Sequence, residues 1–174
     1  MRIAISGLSG SGTTTVARAL AEKLGYRLIS AGEIFREMAK KEGLDLIAFS
    51  RKAERDESID RRIDEIQKEI SEREDDIVIE GRLSARMVRA DLRVWLKAPI
   101  EVRAERVARR ERRSYEEVFR ETIERERSEK LRYRKYYGID VDDLSFYDLV
   151  IDSSKWNSEG IVNLIILAVR EMVG

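Results

Sequence analysis

"GLSGSGTTT", residues 7–15, follows the apolar run "RIAIS" (2–6) and precedes "VARALAEKLG" (16–25). A short β-branched run, a glycine-rich turn and a helical period make the order strand, loop, helix. Gly7, Gly10 and Gly12 let the backbone wrap tightly, so that successive N–H groups and the positive end of the following helix converge on phosphate. On this reading Gly7, Leu8, Ser9, Gly10, Ser11, Gly12, Thr13, Thr14 and Thr15 bind the phosphates of ATP. Thr14 is placed to ligate Mg²⁺ and Thr15 to reach the α-phosphate. A ligand-free turn is the competing reading. Three glycines and a run of hydroxyls in this context argue against it.

One position departs from the pattern: Thr13 stands where such a loop carries lysine. Main-chain donors survive any side chain at position 13, whereas the mobile charge near the β- and γ-phosphates does not. Binding is therefore expected to persist while catalysis draws charge from elsewhere, and arginine can supply it.

Working outward from the loop, further strand-like runs recur at "YRLIS" (26–30), "DIVIE" (76–80), "LRVWLK" (92–97) and "YDLVID" (147–152). Between them lie residues of helical period: Val16, Leu20 and Leu24, then Ile34 and Met38, then Ile59, Ile63, Ile66 and Ile70. Gly25 and Pro99 punctuate helix ends. Alternating buried strands and helices predict an α/β fold, a five-stranded parallel sheet with helices on both faces. Two connections exceed what a crossover needs: residues 31–75, charged and helical in pattern, and residues 101–137, rich in arginine. Long connections of this kind usually carry function.

Composition removes whole classes of chemistry. Cysteine and histidine are absent, so disulfides, thiolate or imidazole metal sites and a serine-histidine triad are excluded. Basic and acidic residues balance at 34 each, so no overall field draws the chain to nucleic acid or to an anionic membrane. Residues 101–135 hold 13 basic and 9 acidic side chains, and the interleaved acids blunt that local field too. No apolar run approaches the roughly 18 residues of a membrane span, and the chain opens on a strand, so a cytoplasmic, single-domain monomer is expected. Charged residues make up 39% of the chain against one Gln and two Asn, a bias that points to a hot source. No Asn-Lys-x-Asp stretch is present to recognise guanine.

Three more stretches complete a pattern. "SAGEIFR" (30–36) follows the second strand, "VIEGR" (78–82) closes the third, and in "TIERERSEKLRYR" (122–134) Arg125, Glu129 and Arg132 fall on one helical face. With the phosphate loop, these make the sequence resemble, over almost its full length, the nucleoside monophosphate kinases of the P-loop class, and most closely the cytidylate kinases of archaeal type. The resemblance implies a P-loop kinase fold with a helical acceptor-binding insertion (31–75) and an arginine-rich lid (101–137), transferring phosphoryl from ATP, with Mg²⁺, to CMP or dCMP. It implies that Ser30, Gly32 and Arg36 bind the acceptor nucleotide, with Arg36 on its phosphate, and that Arg82 contacts the same phosphate. Arg125 and Arg132 would clamp phosphates while Glu129 contacts the ribose hydroxyls. Residues alone equally allow a solvated helix laced with ion pairs there.

Where the family often has aspartate, this chain has Glu80, and Leu83 and Ser84 follow Arg82, so the residue that reads the base is not identified by the pattern. Arg103, Arg106, Arg109 and Arg110 lie in the lid region, and one of them is expected to replace the missing lysine, with Arg106 and Arg110 counted among the catalytic set. Asp152 and Ser153 are candidates for the adenine contact. Tyr133, Tyr136, Tyr137, Phe146 and Tyr147 are expected to pack against the sheet rather than stack on a base. The rival readings are another small-acceptor kinase such as adenylate kinase, a nucleotide-binding module with little catalysis, and an RNA-binding protein.

Overall fold

The β-branched runs pair into one parallel sheet in the order β2-β3-β1-β4-β5. A computed structural model describes residues 1–173. In chain order its elements are β1 (Arg2–Ser6), α1 (Thr13–Leu24), β2 (Arg27–Ser30), α2 (Ala31–Lys41), α3 (Leu46–Ala53), α4 (Ser58–Arg73), β3 (Ile77–Gly81), α5 (Ser84–Met87), β4 (Leu92–Lys97), α6 (Ile100–Glu111), α7 (Tyr115–Tyr137), β5 (Leu149–Asp152) and α8 (Ser158–Val173). From β1 the chain moves one way to β2 and β3 and the other way to β4 and β5. The crevice at the carboxyl end of β1 is thus the switch point where ligands of such sheets bind.

Strand alternation divides the core. Ile3 and Ile5 of β1, with Leu92, Val94 and Leu96 of β4, pack against Val16, Ala17 and Leu20 of α1 and Ile161, Val162 and Ile165 of α8. Ala4, Ile77, Ile79 and Trp95 face the opposite side, where Ala85 of α5, Val141 and Tyr147 cover them. Each Ile, Leu or Val among them taken from water contributes about 1.5–3 kcal/mol.

Both long connections carry small cores of their own. In residues 31–75, Phe49 is fully buried among Ala39, Ile59 and Ile63, and its ring lies 4.8 Å from that of Phe35. In residues 101–137, Ala104, Val107 and Ala108 of α6 close on Val118 of α7. Among the described residues no helix is long and apolar enough to cross a membrane.

Three strand edges differ from the sequence reading, each for a local reason. Tyr26 donates its N–H to Ala21 O and so completes the end of α1 instead of opening β2. Asp76 has φ +55, a left-handed turn that delays β3 by one residue. Tyr147 donates its N–H to Leu144 O in a turn, so β5 begins at Leu149.

Candidate active site

The loop between β1 and α1 ends on Gly12, which caps the helix with φ +89. No side chain caps this end, and the first turn holds no acidic residue. Main-chain N–H groups and the positive helix end are therefore presented together, the requirement for holding an anion. Gly10 has φ +83, and a Cβ there would stand 2.5 Å from Arg103 O, so the loop lies directly against the start of α6.

Two arginines fasten that contact. Arg103, only 5% exposed, donates from Nε to Ala98 O at 2.9 Å and from Nη1 to Ser9 O at 3.2 Å, and it forms an ion pair with Glu126 of α7. Arg106 donates from Nη1 to Gly10 O at 3.2 Å and to Ser153 Oγ at 3.0 Å, and from Nη2 to Ser153 O at 2.7 Å. Guanidinium groups thus occupy two of the loop's carbonyls. Removing one partner of the buried Arg103–Glu126 pair would cost about 3–5 kcal/mol, because the other charge would be left uncompensated. Arg109 and Arg110 are exposed and, among the described residues, pair with nearby acids, Glu105 at 3.1 Å and Glu111 at 3.2 Å.

Glu80, near the end of β3 and 6% exposed, joins the loop to Ser30 at the end of β2. Its Oε1 accepts from Thr13 Oγ1 at 2.8 Å and from Thr14 Oγ1 at 3.1 Å, and its Oε2 accepts from Ser30 Oγ at 2.9 Å. Register explains the convergence, since Ser30 pairs with Glu80 across β2 and β3 while Ile5 pairs with Glu80 across β1 and β3. The fully buried Gln67 of α4 donates to Glu80 O at 2.9 Å and Ile29 O at 3.3 Å, and accepts from Ser84 Oγ at 2.8 Å. Among the described residues no group of three or more acidic, His or Cys side chains could cage a metal. Thr14 and Glu80 nevertheless offer a hydroxyl beside a carboxylate oxygen, the hard donors that suit Mg²⁺ when phosphates complete its shell.

Arg82, just after β3, joins α7, which in turn reaches α4. Glu129, buried, pairs with Arg82 and with Arg125 Nε at 3.1 Å. Arg132 Nη1 lies 3.9 Å from Asp60 Oδ2, and its Nε is buried without a hydrogen-bond partner. Burial, then the like charge of Arg125, pushes the Arg82 guanidinium down to about 10, so it stays charged at neutral pH. On the α4 side, Asp64 accepts from Tyr137 Oη at 3.4 Å. Burial first, and the Asp60 charge second, push its carboxyl up to about 6; burial also raises Asp60, against the pull of Arg132, Arg82 and Arg125.

The sequence-derived residues therefore fall into groups. Arg82, Arg125, Glu129 and Arg132 come together, and Ser30 joins the loop threonines through Glu80. Gly32 and Arg36 sit exposed on the first turns of α2. Asp152 accepts from Ser154 N at 2.9 Å and Oγ at 2.6 Å, and Ser153 is bound by Arg106. Tyr147 packs on Trp95, with ring centroids 5.0 Å apart, whereas Tyr136 and Phe146 remain partly exposed. Sequence reasoning missed Gln67, Asp60 and Asp64. The spacing of Asp60 and Asp64, one turn apart on α4, was the available signal.

An uncapped helix end behind a glycine-rich loop, at the switch point of a 2-3-1-4-5 parallel sheet, defines a P-loop kinase fold. Solved structures agree on that fold: the shikimate kinase of Bacteroides thetaiotaomicron superposes with TM-score 0.67 at 15% identity, covering 98% of both chains. The shikimate kinase of Acinetobacter baumannii, in complex with shikimate, gives 0.63 at 19% identity, covering 98% of this chain and 93% of that one. The profile of the Cytidylate kinase-like family matches residues 2–155, and the chain belongs to that family. Among its relatives, the cytidylate kinase of Methanocaldococcus jannaschii is 51% identical over 99% of both chains. That of Methanocella arvoryzae is 49% identical over 99% of this chain and 98% of its own.

The elevated Asp64 carboxyl has a consequence for stability. Between its ordinary value of 3.8 and about 6 the folded protein keeps a proton that the unfolded chain has released. Stability from this group is thus fully present below about pH 4 and is lost as pH rises through about 6. Urea unfolding of the wild type and Asp64→Asn should show the wild type losing ground to the variant between pH 4 and 6.5, then a constant difference. A difference that does not change with pH would contradict the assignment.

Proposed function

We propose that the protein transfers the γ-phosphoryl group of ATP to CMP, with dCMP as a further acceptor. The observation that carries this reading is the uncapped α1 end joined through Glu80 to Ser30, with Arg82, Arg125 and Arg132 paired to Glu129 and Asp60 nearby in the chain's packing. Near-identity in length with cytidylate kinases about half identical in sequence supports the choice of acceptor.

In this reading the N–H groups of residues 7–15 hold the triphosphate, and Thr14 with Glu80 holds Mg²⁺, which would neutralise phosphate charge when bound. Ser30, Gly32, Arg36, Arg82, Arg125, Glu129 and Arg132 bind the acceptor. A phosphate oxygen of CMP attacks the γ-phosphorus, the bond to the β,γ-bridging oxygen breaks, and ADP leaves. That oxygen is already anionic, so a chain without histidine lacks nothing. The work is alignment and charge neutralisation. Residues 31–75 and 101–137 act as an acceptor arm and a lid that exclude water.

Arg103 is committed to Ser9, Ala98 and Glu126, and Arg106 to Gly10 and Ser153, so their first effect is to hold the loop. Arg109 and Arg110, exposed on the last turn of α6 and paired with Glu105 and Glu111, are the candidates left to swing onto the transferred group, in addition to Arg125 and Arg132. The protein works in the cytoplasm as a monomer in pyrimidine nucleotide metabolism, and its charged, amide-poor composition fits a thermophilic source.

A coupled assay of ADP release with CMP, dCMP, UMP and AMP tests the reading. CMP should give the highest kcat/KM, and ATP binding without turnover on any acceptor would favour a passive binding module. Alanine at Arg106, Arg110, Arg125 or Arg132 should lower kcat by about 10³ at one site at least, and uniformly mild losses would rule the arginine account out. Thermal unfolding should centre well above the mesophilic range, and a midpoint near about 50 °C would remove the thermophilic source.

A further inference from the structure

A polar side chain stands where the buried face of α4 calls for an apolar one. That face runs Ile59, Ile63, Gln67 and Ser71, so Gln67 follows two isoleucines at the same four-residue step. Packing alone would be served by a third isoleucine. Gln67 is instead fully buried, and both ends of its amide are engaged. Its Nε2 donates to Ile29 O at 3.3 Å and to Glu80 O at 2.9 Å, while its Oε1 accepts from Ser84 Oγ at 2.8 Å. A polar residue that breaks an apolar pattern marks a place where something besides packing is being specified.

These bonds fix orientation as well as distance. Ile29 belongs to β2 and Glu80 to β3, and Ser30, next to Ile29, pairs with Glu80 in the sheet register. One amide therefore spans the two strands at the row where Ser30 Oγ meets Glu80 Oε2 at 2.9 Å. The Ser84 hydroxyl decides which end of the amide faces the carbonyls, and it is itself closely packed, since a Cβ on Gly81 would collide with it. A buried network whose members are all satisfied rigidifies its surroundings. What this one holds is the main chain of Glu80, from which the carboxylate reaches Thr13, Thr14 and Ser30.

We propose that Gln67 is a positioning residue for phosphoryl transfer. It acts through Glu80, holding β2 and β3 so that the Glu80 carboxylate stays between the loop threonines on one side and Ser30 on the other. Backbone amides hold the triphosphate and arginines hold the acceptor phosphate without Gln67, so substrate binding survives its loss. What goes is alignment, and a misplacement of about 1 Å can cost on the order of 10²-fold in rate. This inference rests on the kinase reading above and adds to it a residue that, being fully buried, touches neither substrate.

The test is a double-mutant cycle in the steady-state kinetics of the full chain with ATP and CMP, using the wild type, Gln67→Leu, Glu80→Ala and the two changes together. Gln67→Leu should lower kcat at least about tenfold, while KM for ATP and for CMP stay within about threefold. In the Glu80→Ala background the same change should cost less than about threefold, because the carboxylate it positions is gone. Val169→Ala, on α8 beside Leu24 and so at the end of α1 away from the loop, controls for lost stability. It should lower the unfolding temperature and leave kcat within about twofold where the protein stays folded. An equal loss in both backgrounds, a loss confined to KM, or no loss from Gln67→Leu overturns the inference and leaves the kinase reading intact. Should Gln67→Leu fail to fold, Ser84→Ala, which frees the amide to turn, decides by the same cycle with a kcat loss of at least about threefold expected. A wild type that does not phosphorylate CMP at all defeats the kinase reading, and the inference falls with it.

Discussion

One buried carboxylate sets the geometry on which the site depends. Glu80 receives hydroxyls from the first two residues of α1 and from the last residue of β2, and its own carbonyl is held by Gln67 of α4. The β1–α1 loop, the end of β2 and α4 are thereby referred to one point at the end of β3. A lysine at position 13 would bring a charged ammonium against this carboxylate. With threonine there, the carboxylate is satisfied by neutral hydroxyls instead, and the strong pull of an ion pair is absent. The loop is left as a cradle of main-chain dipoles.

Arginine use follows from that choice. Two guanidinium groups, Arg103 and Arg106, bind loop carbonyls and connect them to α7 and to the turn after β5. Such contacts cost desolvation and are worth keeping only because every partner is satisfied. A second set, Arg82, Arg125 and Arg132, is paired with Glu129 and Asp60. The first set fixes the loop, and the second ties α7 to Arg82 after β3 and to α4.

Much of this was legible in the sequence, because the signals were local. Strand, glycine loop and helix follow from residues 2–25 alone, and the remaining strands from short β-branched runs. Arg125, Glu129 and Arg132 share a helix face by spacing, and the structure brings Arg82 to them. What escaped was non-local or hidden in cap geometry. Tyr26 looks like a strand residue but completes a helix end, and Asp76 looks like one but turns left-handed. The bonds of Arg106 to Gly10, 96 residues away, and of Gln67 to Glu80 depend on the packing of whole elements. Nothing near Asp60 and Asp64 in the sequence marks the Arg132 and Tyr137 that reach them from α7.

The claim beneath all of this is that main-chain amides at the start of α1 hold a triphosphate without help from a lysine. A crystal structure with CMP and a non-hydrolysable ATP analogue tests it most directly. The account predicts β-phosphate oxygens within about 3.2 Å of successive backbone nitrogens of residues 10–15, with no ammonium group nearby. A loop left empty by the analogue, or filled by its own threonine and serine side chains, would contradict it.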